Sequence, residues 1–206
     1  MSELGQYQYY LSLVGLMSII SIAGTENTIL KYIPKYIIGN DKSNYFSVLN
    51  FCWRYVFIIS CVIMPLVISF FFFKTNSIYI TLFLIFLINV VISFERLYAA
   101  VLNALKMQVF PTVFSKIFGP LIFLMFLFVN YKNNISELAL FYNFLSSLSV
   151  LIILVFLVKK YSFFRKNSRI TKLKSSWILS SGILFGINVI NALIAYIDNS
   201  FLLLFS

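Results

Sequence analysis

The chain has 206 residues, 61% hydrophobic, 19% aromatic and 11% charged, with a formal net charge of +10 and no histidine. A charged fraction about half the roughly 25% of soluble domains marks an integral membrane protein, and the lack of histidine excludes His-based metal sites, His-dependent nucleophile triads and imidazole acid–base chemistry. The positive charge does not call for a nucleic-acid partner, because the basic residues sit between apolar runs rather than interleaved with aromatics on a folded surface.

A membrane helix needs about 20 mainly apolar residues, and six segments approach that length. The first covers 9–23, extending at most to Ile33, with Pro34 expected to end it. Residues 1–8 before it have neither the charged n-region nor the cleavage site of a signal peptide. The second, 52–73, holds both cysteines, Cys52 and Cys61; a helix separates them by about 13.5 Å, too far for a disulfide. Pro65 is expected to kink this span. The third covers 77–94, with Asn89 as an interhelical hydrogen-bonding group; the adjacent Glu95 and Arg96 are read as a cytoplasmic helix end.

The fourth span, 111–129, is expected to kink at Gly119–Pro120. The fifth, 138–158, has Ser136 and Glu137 as its cap and Asn143 as a second interhelical group. The sixth, 177–197, carries Ser181, Asn188, Asn191, Asp198 and Asn199 within an arc of about 100°. Such a stripe must avoid lipid, so it packs on other helices or lines a hydrated path. Gly182 and Gly186 form a GxxxG that allows close helix approach. No segment alternates as a strand would. The expected fold class is therefore all-α, a polytopic membrane bundle of about six transmembrane helices.

Direction comes from charge. Between the fifth and sixth spans lie Lys159, Lys160, Arg165, Lys166, Arg169, Lys172 and Lys174, with no acidic residue among them. Basic residues flanking membrane spans are retained on the cytoplasmic side. With the 159–176 loop inside, alternation also places Lys31, Lys35, Lys42, Arg54, Arg96, Lys106 and Lys116 inside. Only Lys74 and Lys132 fall outside, so fourteen of sixteen basic residues share one side. Alternation also puts the N-terminus outside, which implies a missing upstream span. The chain stops just after the sixth span, which reads as a second truncation.

Charges at or inside span ends are the candidate functional residues. A charge at the bilayer centre costs about 2.5–3.5 kcal/mol, so Glu26, Lys31, Arg54 and Lys116 either snorkel to the interface or face an aqueous cavity.

The order of segments resembles the polysaccharide flippases, export proteins of O-antigen and teichoic-acid type, within the multidrug/oligosaccharidyl-lipid/polysaccharide superfamily. The resemblance begins at Leu4-Gly5-Gln6-Tyr7-Gln8-Tyr9-Tyr10 and continues through Gly24-Thr25-Glu26-Asn27-Thr28-Ile29-Leu30-Lys31-Tyr32. It extends to Leu102-Asn103-Ala104-Leu105-Lys106 and Tyr196-Ile197-Asp198, covering nearly the whole chain. It implies a MATE-like two-lobe transporter. Residues 1–158 would be the first lobe minus its first helix, 159–176 the basic cytoplasmic loop, and 177–206 the first span of an otherwise missing second lobe.

The activity so implied is alternating-access export of a lipid-linked oligosaccharide, without covalent chemistry, at the cytoplasmic (inner) membrane. The headgroup is a sugar pyrophosphate, which needs cations for phosphate and amides or hydroxyls for sugars. Lys31, Arg54 and Lys116 are the candidates for phosphate, and Asn188 and Asn191 for sugar. The expected partners are the lipid-linked oligosaccharide, membrane lipids, and a polysaccharide polymerase or glycosyltransferase; no nucleic acid, metal or cofactor is expected. The alternatives are an ion-coupled multidrug exporter using Glu26 or Asp198, an intramembrane transferase, and a non-transport assembly subunit. The paucity of acids in the spans argues against the exporter, and the lack of paired carboxylates on loops argues against the transferase.

Overall fold

A computed structural model describes residues 3–22, 24–63, 79–129, 135–161, 175–183, 185–187 and 190. Among them there is no strand, and the chain folds as an all-α bundle. Helix α1 is Glu3–Ile22, α2 is Thr25–Ile38, and α3 is Lys42–Ile58 continued by a π-helical turn over Ile59–Ile63. Helix α4 is Tyr79–Ala104. Helix α5 runs from Val109–Val113 through a π-helical turn, Phe114–Phe118, into Gly119–Val129. Helix α6 is Ile135–Tyr161 and α7 comprises helical residues 175–183 and 185–187.

The first apolar segment breaks at Gly24 rather than Pro34. Gly24 has φ 75°, a left-handed conformation that costs a residue with a Cβ about 1–2 kcal/mol, and α1 and α2 meet there at 44°. Pro34 lies inside α2 and does not terminate it. The turns after α2 and α4 use non-glycine residues in the same conformation. Asn40 (φ 48°) and Lys106 (φ 62°) each follow a helix whose last carbonyls are closed by paired bonds, Asp41 to Tyr36 with Asn40 to Ile37, and Met107 to Leu102 with Lys106 to Asn103. Asp41 then caps α3, accepting from the Asn44 amide at 3.1 Å and from the Asn44 and Ser43 side chains. Helix α6 starts at Ile135, so Ser136 lies inside its first turn rather than before it.

Helix α4 is the hub. Helices α1, α2, α3 and α6 all pack on it, and its interface with α6 is the largest in the bundle. One buried cluster joins Val14 and Met17 of α1 to Leu84, Ile85 and Ile88 of α4 and Leu140 of α6. A larger one gathers Ile33 and Tyr36 of α2, Val48 and Cys52 of α3, Leu97, Val101 and Leu102 of α4, Leu154 and Val158 of α6, and Trp177 of α7. Between the two clusters α4 turns polar. The Asn89 amide donates to the Ser21 hydroxyl of α1 at 3.2 Å, and the Ser93 hydroxyl donates to the Asn89 carbonyl. In lipid, where helices gain no hydrophobic advantage by meeting, close packing and such interhelical hydrogen bonds hold the bundle.

By length and composition, Ile80–Ala104 and Leu138–Tyr161 are each able to cross a membrane, and the bent α1–α2 pair qualifies as a third span. The third span thus runs ten residues beyond its expected end at Phe94. Pro65, the basic stretch 162–174, Asn188, Asn191, Asp198 and Asn199 lie outside the described residues. Gly182 and Gly186 have no atom within 4 Å of where a Cβ would sit, so the GxxxG makes no close helix contact among the described residues. Ser181 is buried and bonded to the Thr28 hydroxyl at 2.7 Å, a packing role for this member of the stripe.

Candidate functional site

A cavity of about 250 Å³ opens between α1, α4, α5 and α6, lined by Tyr7, Glu95, Ser115, Gly119, Pro120, Phe123, Asn143, Ser146, Ser147 and Val150. Helix periodicity explains two of its walls. Asn143, Ser146, Ser147 and Val150 are spaced i, i+3, i+4, i+7 on α6, and Ser115, Gly119 and Phe123 recur every four residues on α5, so each set lies on one helix face. The π-helical turn just before Pro120 follows from proline chemistry. Pro120 offers no N–H and its ring crowds the carbonyl four residues earlier, that of Lys116. The wider turn relieves that crowding.

Hydrogen bonds fix the polar lining. The Ser146 hydroxyl donates to the Gly119 carbonyl at 2.5 Å, seating α6 against α5 beside the proline. A Cβ at Gly119 would meet Val150 Cγ2 at 3.6 Å, an ordinary contact, so this glycine is not there for want of space. The Asn143 amide nitrogen reaches the Tyr7 hydroxyl at 3.5 Å while its Oδ1 accepts from Ser147 at 3.4 Å. Tyr7 and Phe123 lie parallel, 3° apart in plane, with centroids at 6.2 Å. Ser115 is the hydrogen-bond partner of the Glu95 carboxylate.

Glu95 is the one charged group among the described lining residues, and no Lys or Arg lines the cavity with it. The neighbouring Arg96 attracts both Glu95 and Glu26 electrostatically, so it links α2 and the cavity wall without entering the cavity. Among the described residues no cluster of three or more His, Cys, Asp or Glu side chains gathers as a metal site. The lining holds hydroxyls, an amide, one carboxylate and an apolar wall. It can accept and donate hydrogen bonds to a small amphipathic molecule, and among the described residues it offers no cation to a phosphate.

The residues singled out from sequence lie elsewhere. Lys31 is exposed on α2, its Nζ 5.3 Å from the centroid of the Tyr32 ring. Arg54 is exposed on α3, and Lys116 is exposed within the π-helical turn, next to Ser115 on the cavity wall. Glu26 is half-buried in the first turn of α2, where the helix dipole favours a negative charge. The structure thus brings none of these four into the cavity. Asn188, Asn191 and Asp198 fall outside the described residues.

Sequence places Glu95 at a cytoplasmic helix end, but α4 continues past it to Ala104. The signal was present in the sequence. Leu97, Ala100, Val101 and Ala104 continue the i, i+3, i+4, i+7 apolar pattern past Glu95, and all four are buried. Asn143, expected as an interhelical group, does bridge α6 to α1 and lines the cavity as well. Cys52 is fully buried and Cys61 half-buried, both as free thiols.

A family model described as polysaccharide biosynthesis protein matches residues 2–206. No curated protein and no solved structure gives a significant match. Because that family match runs through every described helix, the four that build the cavity included, the chain belongs to the polysaccharide biosynthesis protein family and is a helical membrane member of it.

Proposed function

We propose that this protein is a flippase subunit or lobe that carries a lipid-linked oligosaccharide, the repeat unit of O-antigen or another surface polysaccharide, across the cytoplasmic membrane by alternating access. The observation that carries this reading is a polar, carbohydrate-compatible cavity built inside an apolar bundle of a polysaccharide biosynthesis family member. Polar groups inside a membrane are costly and mark a substrate or ion path by default. Ser115 and Glu95 are hydrogen-bonded in the cavity wall, and among the described residues neither a histidine nor a metal cluster stands beside them to complete a transfer site, which fits transport better than transfer chemistry.

In this reading Lys31, Arg54 and Lys116 meet the pyrophosphate from the outer faces of α2, α3 and α5, and Asn188 and Asn191 meet sugars. Glu26 and Asp198 are the candidates for ion coupling. The bundle 1–158 serves as one lobe, the loop 159–176 as a cytoplasmic connector and the span 177–206 as part of a second lobe. A polymerase or glycosyltransferase acts on either side of the step. The lopsided charge supports a cytoplasmic 159–176 loop, and the larger buried cluster, which joins the ends of α2, α4 and α6 to the start of α7, is consistent with those ends sharing one side.

One observation favours a second reading, export of cationic compounds coupled to an ion: Glu95 gives the cavity wall a negative charge. Proteoliposomes containing the protein as its gene encodes it separate the two. Flipping of a fluorescent polyprenyl-pyrophosphate oligosaccharide, with no efflux of organic cations, is the expected result; cation efflux without lipid flipping would replace the first reading by the second.

A further inference from the structure

Resting on the export reading, we propose that the Glu95 cavity is a subsite for a single uncharged sugar ring of the lipid-linked substrate, and that Glu95 excludes acidic sugars from it. Size is the first argument. The cavity holds about 250 Å³, below the roughly 300–1,000 Å³ of sites for drug-sized ligands and equal to about eight waters at ~30 Å³ each. One pyranose ring with its hydroxyls is the scale of ligand that space suits, with neighbouring rings of the oligosaccharide outside it.

The lining chemistry divides as a sugar ring does. Tyr7, Pro120, Phe123 and Val150 present apolar surface to ring C–H groups. Glu95, Ser115, Asn143 and Ser147 present acceptors and donors to hydroxyls. A metal cation of the hard type would need oxygen ligands on all sides, and the apolar wall denies them. An acyl tail would strand the polar wall without partners. A phosphate or uronate would meet a carboxylate with no lining cation to offset it among the described residues. The bidentate capacity of a carboxylate for vicinal hydroxyls makes Glu95 the group that selects charge as well as orientation.

The test uses the protein as its gene encodes it, in lipid nanodiscs, with Cys52 and Cys61 replaced and a single reporter thiol at Gly119→Cys, which lines the cavity and has room for a Cβ. A second reporter, Ser146→Cys on α6, guards against misfolding of the first. The probes are a polyprenyl pyrophosphate bearing one hexose, the same lipid bearing one hexuronic acid, and the bare polyprenyl pyrophosphate. The rate of thiol modification is measured with each, alongside retention of radiolabelled lipid by the protein. At ten times Kd the hexose lipid should slow labelling about tenfold, and the other two should leave it within about twofold of the free rate. Glu95→Gln, which removes charge but keeps size, should bring hexuronate protection up toward that of the hexose lipid.

Equal protection by the bare pyrophosphate lipid, or by the hexuronate lipid with Glu95 intact, would overturn the subsite. So would retention of the hexose lipid without protection at either thiol, and in that case the export reading stands. Absence of any lipid retention would overturn both.

Discussion

The indole N–H of Trp177 donates to the Tyr36 hydroxyl at 3.1 Å, tying α7 to α2 across 141 positions of sequence. The two rings meet edge to face, with centroids 6.5 Å apart, and Phe51 of α3 tilts against the same indole at 6.3 Å. Trp177 is fully buried, and one turn further along α7 Ser181 bonds Thr28. The helix that follows the basic loop is therefore locked by packing and by polar contacts to the bent partner of α1.

Removing that bond while keeping an aromatic ring should cost about 1 kcal/mol, the net worth of a buried hydrogen bond. Truncating the ring should cost about 3–5 kcal/mol. Unfolding in detergent of Trp177→Phe, Trp177→Ala, Tyr36→Phe and the Trp177→Phe/Tyr36→Phe pair measures both. The double variant should lose about 1 kcal/mol less than the sum of the singles; strict additivity would mean that the two residues do not interact energetically.

The break between α1 and α2 depends on Gly24 and not on Pro34. Gly24→Ala should destabilise the protein by about 1–2 kcal/mol, because alanine must adopt the left-handed conformation. Pro34→Ala should be neutral or stabilising, since alanine restores a backbone donor inside α2. Thermal unfolding of the purified variants checks the order, and a larger loss at Pro34 would move the hinge there.

Sidedness is tested with single cysteines in a background lacking Cys52 and Cys61. Ser168→Cys should be shielded from impermeant thiol reagents in intact cells, and Asn133→Cys should react. The warrant is the fourteen-to-two split of basic residues that alternation of the expected spans gives. Labelling at position 168 in intact cells would reverse every span.

Charge at Lys116 and Arg54 separates phosphate binding from interfacial anchoring. Export should fall about tenfold or more for Arg54→Gln and for Lys116→Met, while Lys116→Arg keeps most of it, since a charge-assisted hydrogen bond to phosphate survives the exchange. Neutralising Lys166 and Arg169 should cost under about twofold, because five basic residues remain in that loop to hold topology. Equal export by the Met and Arg variants at normal protein levels would make Lys116 a snorkelling residue.

The helical class, the placement of the apolar segments and the asymmetry of charge were written in local sequence, because each depends on composition over some twenty consecutive residues. Boundaries were legible only in part. Glu95 and Arg96 looked like the end of a span since they are charged, yet α4 continues to Ala104 because the apolar face resumes beyond them. Pro34 reads as a stop, yet α2 runs through it and the break falls at Gly24, where the lack of a Cβ lets the backbone take a positive φ without steric cost.

The cavity was not legible at all as a site. Tyr7, Glu95, Ser115 and Asn143 come from four helices and span most of the chain, so no local spacing announces them. The i, i+3, i+4, i+7 set on α6 and the fourfold spacing on α5 each mark a helix face, and sequence alone cannot say which faces meet. Sequence determined that this chain is a helical membrane protein whose basic residues gather between its apolar segments. Tertiary structure decided where its polar groups converge, because convergence depends on the packing of α1, α5 and α6 around α4, and packing is a property of several distant segments at once.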